Sequence, residues 1–414
     1  MAAEHYDALE TRDPQQREAA LMAALPAQVA HAQSSAPGFA RILAGVDARA
    51  VTSRAALAAL PVTRKGDLMA LQKDAAPFGG LNATPVGQLA RLFMSPGPIL
   101  DPEGRRADWW RMARPLYAAG FRPGDVVQNC FSYHFTPAAS MMEGGALALG
   151  CAVIPAGTGQ TEMQVQAMAT YRPAGYTGTP SFLKIILEKA AEAGTDVSSV
   201  RRALVGAEAL PPSLRKWLQE HGVLVVQQIY ASADLGNIAY ESAALEGLIV
   251  DEEVILEIVR PGTGDPVAEG EVGEVVVTKL DPDYPLVRFG TGDLSAILPG
   301  TSPCGRTNMR IRGWMGRADQ TTKVKGMFVH PHQVAEVIRR HPEVARARLV
   351  VDNPGGTDRM TLRCELKAAE PEGLAQRIAE SLRDVTKLRG EVAFAAAGSL
   401  PNDGKVIEDA KKYE

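Results

Sequence analysis

Asp125-Val-Val-Gln-Asn-Cys-Phe is a short apolar run, and Gly150-Cys-Ala-Val-Ile-Pro is a second one 25 residues further on. From about 90 to 205, runs of this kind alternate with helix-type patterns, as at 163–169 and 182–193, where apolar residues recur every three or four positions. A strand that feeds a helix and then another strand builds a parallel sheet covered by helices, so an α/β fold is expected here.

Outward from this block the pattern changes on both sides. Residues 14–75 carry helical periodicity, in Arg17-Glu-Ala-Ala-Leu-Met-Ala-Ala-Leu and in Ser53-Arg-Ala-Ala-Leu, where Ser53 stands at an N-cap position. Between 247 and 298, β-type alternation is broken by Pro-Gly, Gly-Asp and Glu-Gly turns, which predicts an antiparallel subdomain. After Gly316-Arg-Ala-Asp come a lysine-flanked strand, a helix at 332–340, strands at 347–352 and 360–366, and a helix at 374–385. We therefore expect a large N-terminal domain of several subdomains over 1–318 and a small α+β domain over 319–414.

Composition narrows the function. The 414 residues are 46% hydrophobic and 22% charged, and 44 Lys plus Arg against 48 Asp plus Glu leave a net charge of −4 without a block of one sign. Such a chain has no electrostatic footprint for nucleic acid or an anionic membrane. Cys130, Cys151, Cys304 and Cys364 are scattered and none stands in CxxC spacing, which suits a reducing compartment. The acidic start lacks the basic and apolar regions of an export signal, and the apolar stretch 144–157 is too short to cross a bilayer. A soluble, cytoplasmic protein is expected, with no nucleic-acid or membrane partner.

Eight segments give a sharper reading. Arg122-Pro-Gly-Asp, Gly150-Cys-Ala-Val-Ile-Pro, Gly178-Thr-Pro-Ser, Gly206-Ala-Glu-Ala-Leu, Ile229-Tyr-Ala-Ser-Ala-Asp, Arg288-Phe-Gly-Thr-Gly-Asp-Leu, Gly316-Arg-Ala-Asp and Pro401-Asn-Asp-Gly-Lys follow one another in this order. In that order they resemble the landmarks of the acyl-adenylate-forming ligases and, within them, of the phenylacetate–CoA ligase family. The resemblance implies an ATP-dependent, AMP-forming acid–CoA ligase that works by domain alternation on an aromatic or arylacetic acid, a small-molecule carboxylic acid. ATP/AMP, Mg²⁺ and coenzyme A are the cofactors it implies, and a homodimer is compatible with it.

Residue by residue, Asp293 offers a carboxylate able to accept two hydrogen bonds from vicinal hydroxyls. A Gly-Asp pair taken alone is more often a turn between strands, and it is the resemblance that puts the ribose here. By the same resemblance Tyr230 stacks on adenine, Ala207 and Glu208 border the base and the acyl pocket, and Arg317 reaches the nucleotide. Asp319 is the implied hinge, and Gly326, in Lys323-Val-Lys-Gly-Met-Phe, lies on the path of the CoA arm. Lys405 matches the catalytic lysine, whose compact ammonium can bridge a carboxylate and an α-phosphate as negative charge builds. Tyr133, His134 and Phe135 stand where the family places acyl-pocket aromatics, with core packing as the competing reading.

The chain also departs from the pattern. The phosphate-binding loop of these ligases is rich in Ser, Thr and Gly and ends in Lys, whereas Phe93-Met-Ser-Pro-Gly-Pro-Ile-Leu-Asp-Pro-Glu-Gly carries three prolines without N–H groups, plus Asp101 and Glu103. At Tyr230-Ala-Ser-Ala-Asp the phosphate-contacting hydroxyl is lost at Ala233, and Asp234 is left as a weakened Mg²⁺ ligand. Ser302-Pro-Cys-Gly-Arg-Thr-Asn keeps one thiol of the structural zinc site that some relatives hold, so no zinc is expected. These losses leave a second reading open, a pseudoenzyme or acyl/AMP-binding protein that no longer turns over ATP.

Overall fold

The computed structural model describes residues 4–95, 98–318, 320, 322–324, 327–352 and 358–411. The chain divides into two compact units, one holding 1–256, 277–289 and 298–314, the other 257–276, 290–297 and 315–414.

In the first unit the alternating block forms five strands: β1 Val126–Asn129, β2 Ala152–Pro155, β3 Gly175–Gly178, β4 Arg202–Val205 and β5 Val225–Ser232. They lie in the order β2-β1-β3-β4-β5, each parallel to its neighbours. Every residue of β3 is buried, as expected of an inner strand covered on both faces. β2 takes the edge, with Ala152 and Pro155 exposed, and an edge is where a proline costs the ladder least. Past β5 the sheet turns antiparallel through β6 Gly236–Tyr240 and β7 Leu248–Val250 to Arg310–Ile311.

Helices α1 Ala138–Ala148, α2 Thr161–Tyr171, α3 Pro180–Glu192 and α4 Pro212–Glu220 make the crossovers. In α3 the Thr179 side chain accepts from the Phe182 N–H, Pro180 fills the first turn, and Leu183, Ile186, Leu187 and Ala190 form one buried stripe. That stripe packs with Tyr176, Ala203, Val205 and Val226 of the sheet. Upstream, Ser53 caps helix Arg54–Ala58 as the sequence predicts, its Oγ accepting from the Ala56 N–H at 3.2 Å.

In the second unit, Val344–Asp352 pairs antiparallel with Arg359–Leu366. Glu391–Ala395 joins one side and Ile407–Asp409 the other, both parallel to their neighbours. Helices Pro331–Arg339 and Leu374–Thr386 set Val334, Val337, Ile378 and Leu382 in one core with Leu349, Val351, Leu362 and Cys364. This unit also takes in 257–276 and 290–297, which the sequence reading gives to the larger domain. Val272, Leu294, Ala296 and Ala318 cluster together, and Gly404 packs so closely that a Cβ there would lie 2.7 Å from Val272 Cγ1 and 3.1 Å from Leu294 Cδ1. Among the described residues no helix is long and apolar enough to cross a membrane.

Candidate active site

The carboxyl ends of β1, β4 and β5 open on a cavity of about 210 Å³, the place where open α/β sheets bind ligands. Its wall is apolar: Met112, Phe131 beyond β1, Met141 and Met142 of α1, and Ile229 and Ala231 of β5. Gly206 and Ala207 close one side, and Ser95, Thr136 and Ser232 supply polar groups. A Cβ on Gly206 would lie 3.0 Å from Ile229 Cγ2, so the backbone passes at a distance a side chain would crowd. Ala207 holds a left-handed φ of +66°, a conformation that disfavours a β-carbon and recurs at functional turns.

Tyr230 lies between two wall residues and is half-buried, on a strand whose register against β6 shifts between Tyr230 and Ala231. A bulge of this kind re-aims side chains locally, which lets Ala231, Ser232 and Ala233 all contribute to the wall. Glu208, next to Ala207, accepts a hydrogen bond from the Ser181 N–H at 2.7 Å and so supports the N-terminus of α3.

The aromatic trio of the sequence reading does not line this cavity. Tyr133 donates to Glu143 at 2.6 Å and accepts from Asn129 at 2.9 Å, and burial together with Glu143 pushes its phenol above the ordinary range. Phe135 is 62% exposed, and the His134 ring meets it edge-on at 4.7 Å. Phe135 occupies a left-handed turn that carries the pair off the wall, and the methionines of α1 supply the apolar surface instead. A Met-Met pair inside a helix carries no sequence signal that separates a cavity wall from core.

Beside the cavity lies a cluster of charge. Ser95 donates to Asp101 at 2.7 Å, and Lys65, in the turn Lys65–Asp67, donates to Asp234 at 2.6 Å. Both carboxylates are fully buried. Burial, and next the negative charge of Asp234, push Asp101 up to about 7. Of the two acids counted against a polyphosphate, Asp101 is thus taken up inside the unit, and Glu103 is buried between Arg91 at 2.7 Å and Ser140 at 2.7 Å. Pro96 and Gly97 lie outside the described residues.

Asp234 is the residue to test for Mg²⁺. A hard dication of this size keeps several waters and wants near-octahedral oxygen ligands. Asp234 is wholly out of solvent and already carries an ammonium, and the preceding residue, Ala233, brings only a methyl. No group of three or more His, Cys, Asp or Glu suited to a metal occurs among the described residues. Asp234 Oδ1 and Asp101 Oδ1 are buried without a hydrogen-bond partner, but with the Lys65 ammonium already on Asp234 Oδ2 the arrangement as it stands does not fit the ion.

The second unit carries Asp293, Arg317 and Lys405. Arg317 donates to Asp293 at 2.8 Å, and the two residues also form a backbone bridge. Lys405 is exposed and lines a cleft of about 740 Å³ with Arg260, Glu271 and Arg346. Asp293 is not part of that wall. Its neighbour Leu294 turns into the Val272–Ala296–Ala318 cluster, and successive strand residues point to opposite faces.

Two residues that sequence reasoning missed hold the turn that carries Lys405. Arg348, nearly buried, donates to the Pro401 carbonyl at 3.2 Å, to Glu408 at 3.0 Å and to Asp403. Gln320 donates to the Gly404 carbonyl at 3.1 Å and accepts from the Ile407 N–H at 3.0 Å. Asp319 and Gly326 lie outside the described residues.

A family model described as AMP-binding enzyme matches residues 107–280, and one described as AMP-binding enzyme C-terminal domain matches 326–409. The chain is 31% identical to a phenylacetate-coenzyme A ligase of Thermus thermophilus, over 88% of this chain and 86% of that one. It is 28% identical to a phenylacetate-coenzyme A ligase of Escherichia coli, over 96% and 95%. Its fold matches a crystal structure of 2-hydroxyisobutyryl-CoA ligase in the postadenylation state with a TM-score of 0.73, at 23% identity, over 99% of this chain and 93% of that one. With two matched modules in the order the sequence landmarks require, and close to a third of residues shared with a relative along nearly its whole length, the chain belongs to the AMP-binding, adenylate-forming enzymes of the phenylacetate–CoA ligase family.

Proposed function

We propose that this protein is an ATP-dependent acid–CoA ligase acting on an aromatic or arylacetic acid. The acid's carboxylate attacks the α-phosphorus of ATP, giving an acyl-adenylate and releasing pyrophosphate. The thiol of coenzyme A then attacks the acyl carbonyl, giving the thioester and releasing AMP.

The observation that carries the reading is the apolar cavity at the carboxyl ends of β1, β4 and β5. At about 210 Å³ it is smaller than the roughly 300–1,000 Å³ of drug-sized ligand pockets, so it suits one ring with a short side arm. Its few polar side chains, Ser95, Thr136 and Ser232, offer an acid's carboxylate hydrogen-bonding groups while the ring is desolvated. The names of the curated relatives agree with an arylacetic acid.

In this scheme Lys405 stabilises charge on the carboxylate and α-phosphate during attack. Asp293 holds the ribose, steadied by Arg317. Tyr230 stacks on the base, and the turn at Ala207 and Glu208 borders base and acyl group. Asp319 is the hinge, and Gly326 allows the CoA arm to pass close to the backbone.

The test is pyrophosphate release and CoA-thioester formation across a panel of aromatic and arylacetic acids, with Lys405→Ala alongside. Acid-dependent pyrophosphate release that falls at least about a hundredfold in the variant supports the scheme. Equal rates remove the lysine from the mechanism, and binding of AMP and acid without any turnover of ATP makes the protein a binding module.

A further inference from the structure

Taking its place in the chemistry from the ligase reading, we propose that Lys65 is the resident cation at Asp234, a positioning residue that keeps this carboxylate from recruiting a divalent metal ion. Asp234 is wholly inside the first unit, and a carboxylate in such a place needs a partner, because removing its hydration costs several kcal/mol. Lys65 supplies the partner from a different part of the sequence, with its Nζ 2.6 Å from Asp234 Oδ2.

The lysine reaches this carboxylate along a flexible stem that keeps the side chain about one-quarter exposed, so the ammonium is only partly desolvated. A metal ion on the same oxygen would have to share it with a positive charge at hydrogen-bonding distance. It would also give up waters that Mg²⁺ releases reluctantly, in exchange for a wall made by the methyl group of Ala233. Asp101 interacts with Asp234 through its charge, and Oδ1 of each acid is buried without a hydrogen-bond partner, so the Lys65 ammonium is what stands between this pair of carboxylates and a cation.

The location gives the pair a consequence. Ala233 and Ser232 line the apolar cavity, and Asp234 follows them directly in the chain. A fixed single charge anchored behind this wall sets the local field without waiting for an ion, and it holds the 231–234 segment in place.

The full-length chain is titrated with MnCl₂ alone, and the free aquo-ion is followed by electron paramagnetic resonance. Wild type, Lys65→Arg and Asp234→Asn should give the same weak, superimposable curves. Lys65→Met, which keeps an unbranched stem, should gain a Mn²⁺ site at least about tenfold tighter, and adding Asp234→Asn to it should abolish that site. Circular dichroism establishes that the variants are folded, and Lys65→Ala serves if the methionine variant is not. Binding of Mn²⁺ by wild type that Asp234→Asn removes overturns the proposal, and so does a folded Lys65 variant that gains no site. No substrate enters this measurement, so its failure is separate from failure of the pyrophosphate assay.

Discussion

Arg348→Ala tests whether a buried side chain sets the reach of Lys405 without touching substrate. The guanidinium side chain is only 5% exposed and binds Glu408 at 3.0 Å, the Pro401 carbonyl at 3.2 Å and Asp403. Hydrogen bonds to charged groups contribute roughly 1.5–3 kcal/mol each when protected from water. The side chains of Asp403 and Glu408 are 38% and 41% exposed, so solvent screens both pairs and the lower end applies. The turn is then held by about 3 kcal/mol, which must outweigh the freedom of a segment ending in the three-residue strand Ile407–Asp409. Releasing it lets Lys405 sample other positions, and at about 1.4 kcal/mol per decade the ceiling on the loss is near a hundredfold. We expect pyrophosphate release to fall tenfold to a hundredfold in Arg348→Ala and less in Arg348→Lys, which keeps the charge but loses the fork. Thioester formation from a supplied acyl-adenylate and coenzyme A should change less than threefold. Unaltered adenylation in a folded Arg348→Ala, or equal losses in both half-reactions, would refute the reasoning.

Two further outcomes follow from the buried ionisable groups. Because burial and Asp234 hold Asp101 up to about 7, the folded state keeps a proton that the unfolded chain releases near pH 4. The stability this provides is complete below about pH 4 and lost as pH rises through about 7. Urea unfolding at pH 5, 6, 7 and 8 should show a falling free energy that Asp101→Asn flattens, and an unchanged slope in the variant would exclude this carboxyl as the source. Among the cysteines, burial raises Cys130 and Cys364 to about 12 and Cys151 to about 11. At Cys304 burial acts in the same direction but is outweighed by hydrogen bonds from Ser242, Ser302 and Arg306, which bring the thiol below its ordinary value. Limiting iodoacetamide at pH 8 should therefore label Cys304 first in peptide mapping, and preferential labelling of any other cysteine contradicts this.

What could be read from the sequence was local. The strands of the parallel sheet, the Ser53 cap and the two helices of the small domain each rest on a pattern within a dozen residues, where periodicity and capping chemistry act directly. The cavity wall was not local. Met112, Met141, Ile229 and Ala231 come from three separate segments, and each alone is an ordinary core residue. Phe131-Ser-Tyr-His-Phe drew attention because it is aromatic, yet only Phe131 reaches the wall, since Phe135 sits in a left-handed turn. Lys65 and Asp234 are 169 positions apart, and no spacing rule links a lysine in a short turn to an aspartate after a strand. The grouping of 257–276 with the second unit rests on contacts distant in sequence, such as Val272 against Leu294 and Gly404, that no local pattern announces.

These pairings bear on how ligands could enter. The charged groups that the resemblance assigns to chemistry do not stand idle: Asp293 holds Arg317, and Asp234 holds Lys65. An anionic ligand must therefore compete for a cation that a carboxylate already occupies, and solvent access decides how costly the exchange is. The Arg317 side chain is 51% exposed, so its pair with Asp293 is worth at most about 1 kcal/mol and opens readily toward a phosphate. Asp234 has no exposure at all, and stripping its ammonium would leave a buried charge alone at a cost of roughly 3–5 kcal/mol. The same kind of ion pair thus differs at its two places in one protein, a releasable guanidinium at the site proposed for the nucleotide and a fixed ammonium where the fold must keep its charge.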